Sequence, residues 1–128
     1  MADTEKITIN MSPVDLGRID LLVQEGFYSS RTDFIRTAIR NQLDKQAETV
    51  DQVANRREMV IGTLMYNRKD LETFKVKKVK VNIKVIGLFI LTQDVTPELA
   101  LATIDSVTVH GGFKAPEDVK VALADRIR

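Results

Sequence analysis

The chain has 128 residues, of which 44% are hydrophobic and 29% charged, with a net charge of +1 and no cysteine. These are globular values for one domain or two very small ones, and they exclude a disulfide framework, a thiolate zinc site and a thiol nucleophile. No apolar run approaches the roughly 18 residues of a membrane span and the start lacks a signal-like apolar core, so a cytoplasmic location is expected.

The small net charge hides an uneven distribution. Residues 56–84 hold nine Lys/Arg against Glu58, Asp70 and Glu72, whereas the remaining segments are slightly acidic. Near the N-terminus, Asp15, Asp20 and Glu25 fall on a first predicted helix, and Arg31, Arg36 and Arg40 on a second. Basic and acidic groups are thus separable on the surface, but the field they make is modest.

In chain order, Lys6-Ile7-Thr8-Ile9-Asn10-Met11-Ser12 alternates polar and apolar with a period of two, which predicts a strand with one wet and one buried face. A lone strand needs a partner, and the neighbouring sequence offers only helices. The expected partner is the same strand of a second copy. Such a two-stranded ribbon presents Lys6, Thr8 and Asn10 from each chain, a set of side chains suited to a DNA major groove.

Ser12-Pro13-Val14-Asp15 has the pattern of a helix start, and Leu16, Ile19, Leu22 and Val23 follow at helical spacing up to a stop at Gly26. Ser30-Arg31-Thr32-Asp33 is a second start, with Phe34, Ile35, Ala38, Ile39 and Leu43 as its apolar stripe.

This stretch, from Lys6 to about Lys45, resembles the ribbon-helix-helix family of DNA-binding regulators, the Arc/MetJ type. The resemblance is carried by Lys6-x-Thr8-x-Asn10, the Ser12-Pro13 entry, and Gly26-Phe27-Tyr28-Ser29-Ser30-Arg31-Thr32-Asp33-Phe34-Ile35-Arg36. It implies a homodimer with Lys6, Thr8 and Asn10 as base-reading positions. It further implies Ser29, Ser30 and Arg31 as a phosphate clamp at the start of the second helix, a role that suits free N–H groups and a partial positive charge. Arg36 and Arg40 are candidates for further backbone contacts, and Ile7, Ile9, Phe34, Ile35 and Ile39 for the dimer core.

Residues 46–74 read as mostly helical, a linker with a break near Tyr66-Asn67. Val79, Val81, Ile83 and Val85 then alternate with Lys78, Lys80, Asn82 and Lys84, predicting a strand with a basic face. A repeat follows. Ile83-x-Val85-x-Gly87-x-Phe89 with Pro97-Glu98-Leu99 and Ala102 is echoed by Val107-x-Val109-x-Gly111-x-Phe113 with Pro116-Glu117-x-Val119 and Ala122. One strand and one Pro-started helix per unit suggest a stacked, solenoid-like layer.

His110 lacks partners for a metal site or a nucleophilic relay, and Gly111-Gly112 lacks the Lys-Ser/Thr of a phosphate loop. No enzyme activity, metal or cofactor is expected. The fold class is expected to be α+β. A ribbon-helix-helix domain dimerised through a two-stranded antiparallel ribbon fills residues 1–47, a helical linker 48–75, and a strand/helix repeat-like assembly module 76–128. The expected function is a homodimeric, sequence-specific DNA-binding repressor, with double-stranded DNA as partner and a protein partner or higher assembly at the C-terminal module. The alternatives are an antitoxin regulating its own promoter and a structural assembly protein.

Overall fold

Ser12 opens the first helix, α1 (Pro13–Gln24), by accepting a hydrogen bond on Oγ from the Asp15 amide at 3.2 Å, while Pro13 sits in the first turn, where its missing N–H goes unused. Gly26 takes φ 88°, a left-handed turn that ends α1 and costs an L side chain strain. Ser30 repeats the cap for α2 (Arg31–Lys45), accepting from the Asp33 amide at 3.0 Å, and α3 (Ala47–Arg56) follows. In this computed structural model, which describes residues 4–128, the chain forms two compact units, the first ending at Gln52 and the second spanning Val53–Arg128.

Residues 4–12 join neither a helix nor a sheet. The strand expected over Lys6–Ser12 therefore has no ladder within one chain, and the described residues contain no antiparallel ribbon. The reason is supply: among the described residues, the first unit holds no other extended segment that could pair with it.

The second unit alternates strand and helix: β1 (Val60–Tyr66), α4 (Arg68–Val76), β2 (Val81–Leu91), α5 (Pro97–Thr103), β3 (Ile104–Lys114), α6 (Glu117–Leu123), and a last 3₁₀ turn at Ala124–Arg126. The strands form one parallel sheet in the order β1-β2-β3. The helical linker expected over 48–75 is thus replaced by α3, a strand and α4. Val60-Ile61-Gly62-Thr63-Leu64-Met65-Tyr66 is nearly all apolar, and such a run does not distinguish a strand of a parallel sheet from a buried helix by periodicity. The basic strand starts at Val81 rather than Val79, because Lys78, in the left-handed region at φ 57°, closes α4 first.

Three repeats stack, not two. Val60-x-Gly62, Val85-x-Gly87 and Val109-x-Gly111 lie side by side in register. The three glycines all have φ near 130° (130°, 137° and 127°), and a Cβ on Gly87 would stand 2.1 Å from the Gly62 carbonyl oxygen, one on Gly111 2.0 Å from that of Gly87. No side chain fits those two places. The strands kink together, and only glycine lets them stay in register.

One face of the sheet carries α4, α5 and α6. Ile83, Val85, Phe89, Leu91, Ile104 and Val107 pack there against Leu71, Leu99, Ala100, Val119 and Leu123, and Phe113 stacks on Phe89 with ring centroids 5.2 Å apart. Each helix start is fixed locally. Asn67 and Asp70 exchange side-chain-to-amide bonds at 2.9 Å in a capping box for α4, and Thr96 caps α5. Asp94, bonded to the Thr92 hydroxyl and accepting from the Arg68 amide at 3.2 Å, ties the end of β2 to the start of α4; the Thr92 bond does most to hold its carboxyl below the usual range. Ile61, Met65, Ile86, Leu88 and Ile90 alternate onto the other face of the sheet.

Candidate nucleic-acid interface

The base-reading candidates Lys6, Thr8 and Asn10 are all exposed, and so are the apolar residues between them: Ile7 is 70% and Ile9 58% exposed. A period-two segment with both faces in water is an unfinished strand. The helices beside it show the same condition. No residue of α2 is buried, Phe34 and Ile35 are only half-buried, Ile39 is 43% exposed, and Ile19 of α1 is the buried apolar residue in that pair of helices. An amphipathic helix that buries nothing draws little stability from its own chain.

The start of α2 brings Ser29, Ser30 and Arg31 together. Ser30 Oγ accepts from the Asp33 amide, and the Asp33 carboxylate accepts from the Ser29 amide at 3.0 Å, so the cap is reciprocal. The Arg31 and Thr32 amides of the first turn stand at the exposed positive end of the helix. Tyr28 packs edge-on to Phe34 at 4.9 Å, fixing the turn that leads into this end.

Arg31 itself is engaged. Its Nε and a terminal nitrogen donate to the two Asp20 carboxylate oxygens at 2.7 and 2.8 Å, a fork that links α1 to α2. The Arg31 hydrogen bond holds the Asp20 carboxyl below the usual range, and the same bond raises the Arg31 guanidinium. Sequence reasoning missed this partner, because eleven residues separate the pair and no helical spacing predicts their meeting. Arg36 and Arg40 are exposed, one turn apart on α2. Among the described residues, no hydrogen bond or ion pair joins Lys6, Thr8 or Asn10 to the helix start.

Residues 2–120 match the Ribbon-Helix-Helix transcriptional regulator family. The chain belongs to that family. The match runs from the N-terminal segment through α1 and α2 into α6, so the family includes the β–α repeats as well as the region of resemblance. Comparison with curated proteins and with solved structures returned no match. As a member of a transcriptional regulator family, the chain has DNA as its expected ligand, and no helix among the described residues is long and apolar enough to cross a membrane.

The second unit has positive surface of its own. Arg56, Arg57 and Lys84, with Glu58 among them, line an open cleft with Met59 and Thr108, of about 320 Å³. Lys75, Lys77, Lys78 and Lys80 cluster where α4 ends. The helical reading of residues 46–74 placed Arg56 and Arg57 on a linker, with Arg57 on one face of the predicted helix, and gave neither a binding role.

Proposed function

We propose that the protein is a homodimeric, sequence-specific repressor that reads the DNA major groove through a ribbon built from residues 6–12 of two chains. The observation that carries this reading is the unfinished first unit: a strand-patterned segment without a ladder, beside a helix with no buried residue, in a member of a ribbon-helix-helix regulator family. A second copy supplies what is missing. Ile7 and Ile9 turn inward from the ribbon onto Phe34, Ile35 and Ile39, while Lys6, Thr8 and Asn10 face the bases. Lysine donates to guanine, asparagine pairs bidentately with adenine, and threonine serves either or meets a thymine methyl.

The start of α2, with Ser29, Ser30 and Arg31, grips a phosphate, and Arg36 and Arg40 give the second helix further backbone contacts. In this role Asp20 orients Arg31 and shares its charge with the DNA. The protein acts without enzymatic chemistry, by occupying its operator.

The test is operator selection from a random duplex library followed by titration. Thr8→Ala and Asn10→Ala each lose about 1–3 kcal/mol of discrimination between operator and random duplex. Unchanged operator affinity after replacing Lys6, Thr8 and Asn10 together with alanine would show that the ribbon is not the reading head.

A further inference from the structure

The two turns that lead into β1 and β2 close alike. At the end of α3 the Met59 amide donates to the Ala54 carbonyl at 2.8 Å and the Glu58 amide to that of Asn55 at 3.2 Å. At the end of α4 the Val79 amide donates to the Phe74 carbonyl at 2.9 Å and the Lys78 amide to that of Lys75 at 3.1 Å. Glu58 and Lys78 are both left-handed, with φ 56° and 57°. Because β1 and β2 are parallel neighbours, the two turns lie at one end of the sheet.

That end is basic. Arg56 and Arg57 come from the first turn, and Lys84 shares their cleft. Lys75, Lys77, Lys78 and Lys80 come from the second. All of these side chains are exposed, and none has a hydrogen bond or an ion pair among the described residues. Other arginines of the unit are engaged: Arg68 pairs with Glu72 at 2.8 Å, and Arg126 donates to the Leu101 and Ile104 carbonyls, each at 2.7 Å, where residues 126–128 latch onto β3 at Val107. Glu58 is the acid on the two turns, with Asp105 on β3 and Asp125 in the last turn. The helix dipole accounts for a cation in each last turn, Arg56 and Lys75, but not for Lys78, Lys80 and Lys84 beyond it. At the opposite end Asp94, Glu98, Glu117 and Asp118 stand where β2 finishes and α5 and α6 begin.

We propose that the basic end of the second unit is a duplex-DNA surface that grips the phosphate backbone without reading sequence. This role takes from the proposed function that DNA is the ligand, and it does not need the ribbon to be the reading head. A duplex carries one charge per about 1.7 Å of axis, and unpaired cations at one end with acids at the other turn the unit toward such a polyanion. Guanidinium forks and ammonium groups both hold phosphate. A protein partner fits less well, since protein interfaces are depleted in lysine and anchored by aromatic side chains. The two turns hold four lysines and no aromatic residue, and their exposed apolar side chains are Val76 and Val79.

The full chain is tested on its selected operator and on a random duplex of equal length, with circular dichroism confirming the fold of each variant. Arg56→Ala, Arg57→Ala and Lys84→Ala together, or Lys75→Ala, Lys77→Ala, Lys78→Ala and Lys80→Ala together, should weaken both duplexes by the same factor, roughly tenfold or more at low salt. The salt dependence should become shallower by up to about three and four units of slope respectively. Discrimination between the duplexes should stay unchanged, whereas Asn10→Ala alters it if the ribbon reads. The random-duplex arm needs no operator, so it stands even if the ribbon is not the reading head. Affinity and slope unchanged in both patch variants would overturn the proposal. So would an equal loss per charge from Lys120→Ala on α6, which would reduce the effect to net charge. Lysine acetylation of the parent chain gives a second reading. Random duplex should protect Lys75, Lys77, Lys78, Lys80 and Lys84 and leave Lys120 as reactive as before. Equal acetylation of the patch with and without DNA, the result expected of a surface for an acidic protein, would overturn it.

Discussion

At the scale of single residues, the glycine column gives the sharpest expectation. Gly87→Ala and Gly111→Ala combine a disfavoured φ with a collision against backbone, which cannot rotate away. Each should cost about 2–5 kcal/mol in urea unfolding, by strain and overpacking together. Gly62→Ala meets no atom in its own chain and should cost only the φ strain, about 1–3 kcal/mol. The Asp20–Arg31 fork gives a pH expectation. The Asp20 carboxyl is depressed in the folded chain, so its contribution is complete above the ordinary carboxylate range and is lost as pH falls through the folded value. Asp20→Asn should therefore be less stable than the parent at neutral pH and lose less stability on acidification, measured by denaturant titration from pH 7 downward. It should also tighten binding to random duplex, since Arg31 then meets phosphate with its charge unshared.

At the scale of elements, α2 is a helix waiting for a surface. Ile35→Ala or Ile39→Ala should each destabilise the protein by roughly 2–5 kcal/mol if a second copy covers these side chains, with a melting temperature that depends on concentration. In an uncovered helix the same changes would cost little. These elements were legible because their signals are local: Ser12-Pro13 and Ser30-x-x-Asp33 satisfy orphan amides in the way their spacing predicts. β1 was illegible for the converse reason. What makes Val60–Tyr66 a strand is its neighbour β2, twenty-five residues on, and not its own pattern. The signal that was available is Val-x-Gly, which recurs at Val60, Val85 and Val109. Counting a third copy of it would have moved the start of the repeat module back from residue 76. Within the candidate site the candidate reading positions Lys6, Thr8 and Asn10 are nameable from alternation together with the family resemblance, whereas the engagement of Arg31 by Asp20 depends on how two helices meet.

At the scale of the whole molecule, the proposed ribbon belongs to the first unit and the cleft of Arg56, Arg57 and Lys84 to the second. If the ribbon binds alone, variants that disrupt the second unit leave affinity for an isolated operator nearly unchanged. If the cleft of Arg56, Arg57 and Lys84 also touches the DNA backbone, replacing all three with alanine lowers that affinity and makes its salt dependence shallower by up to about three units of slope. Titration on a one-site duplex over a salt series separates the two. The latch at β3 carries a separate consequence. Ile127 and Arg128 meet that edge at Val107 alone, and Arg126 beside them holds the Leu101 and Ile104 carbonyls. Removing Ile127 and Arg128 should therefore speed amide exchange around Leu101–Val107 and leave exchange in the β1-β2 ladder unchanged.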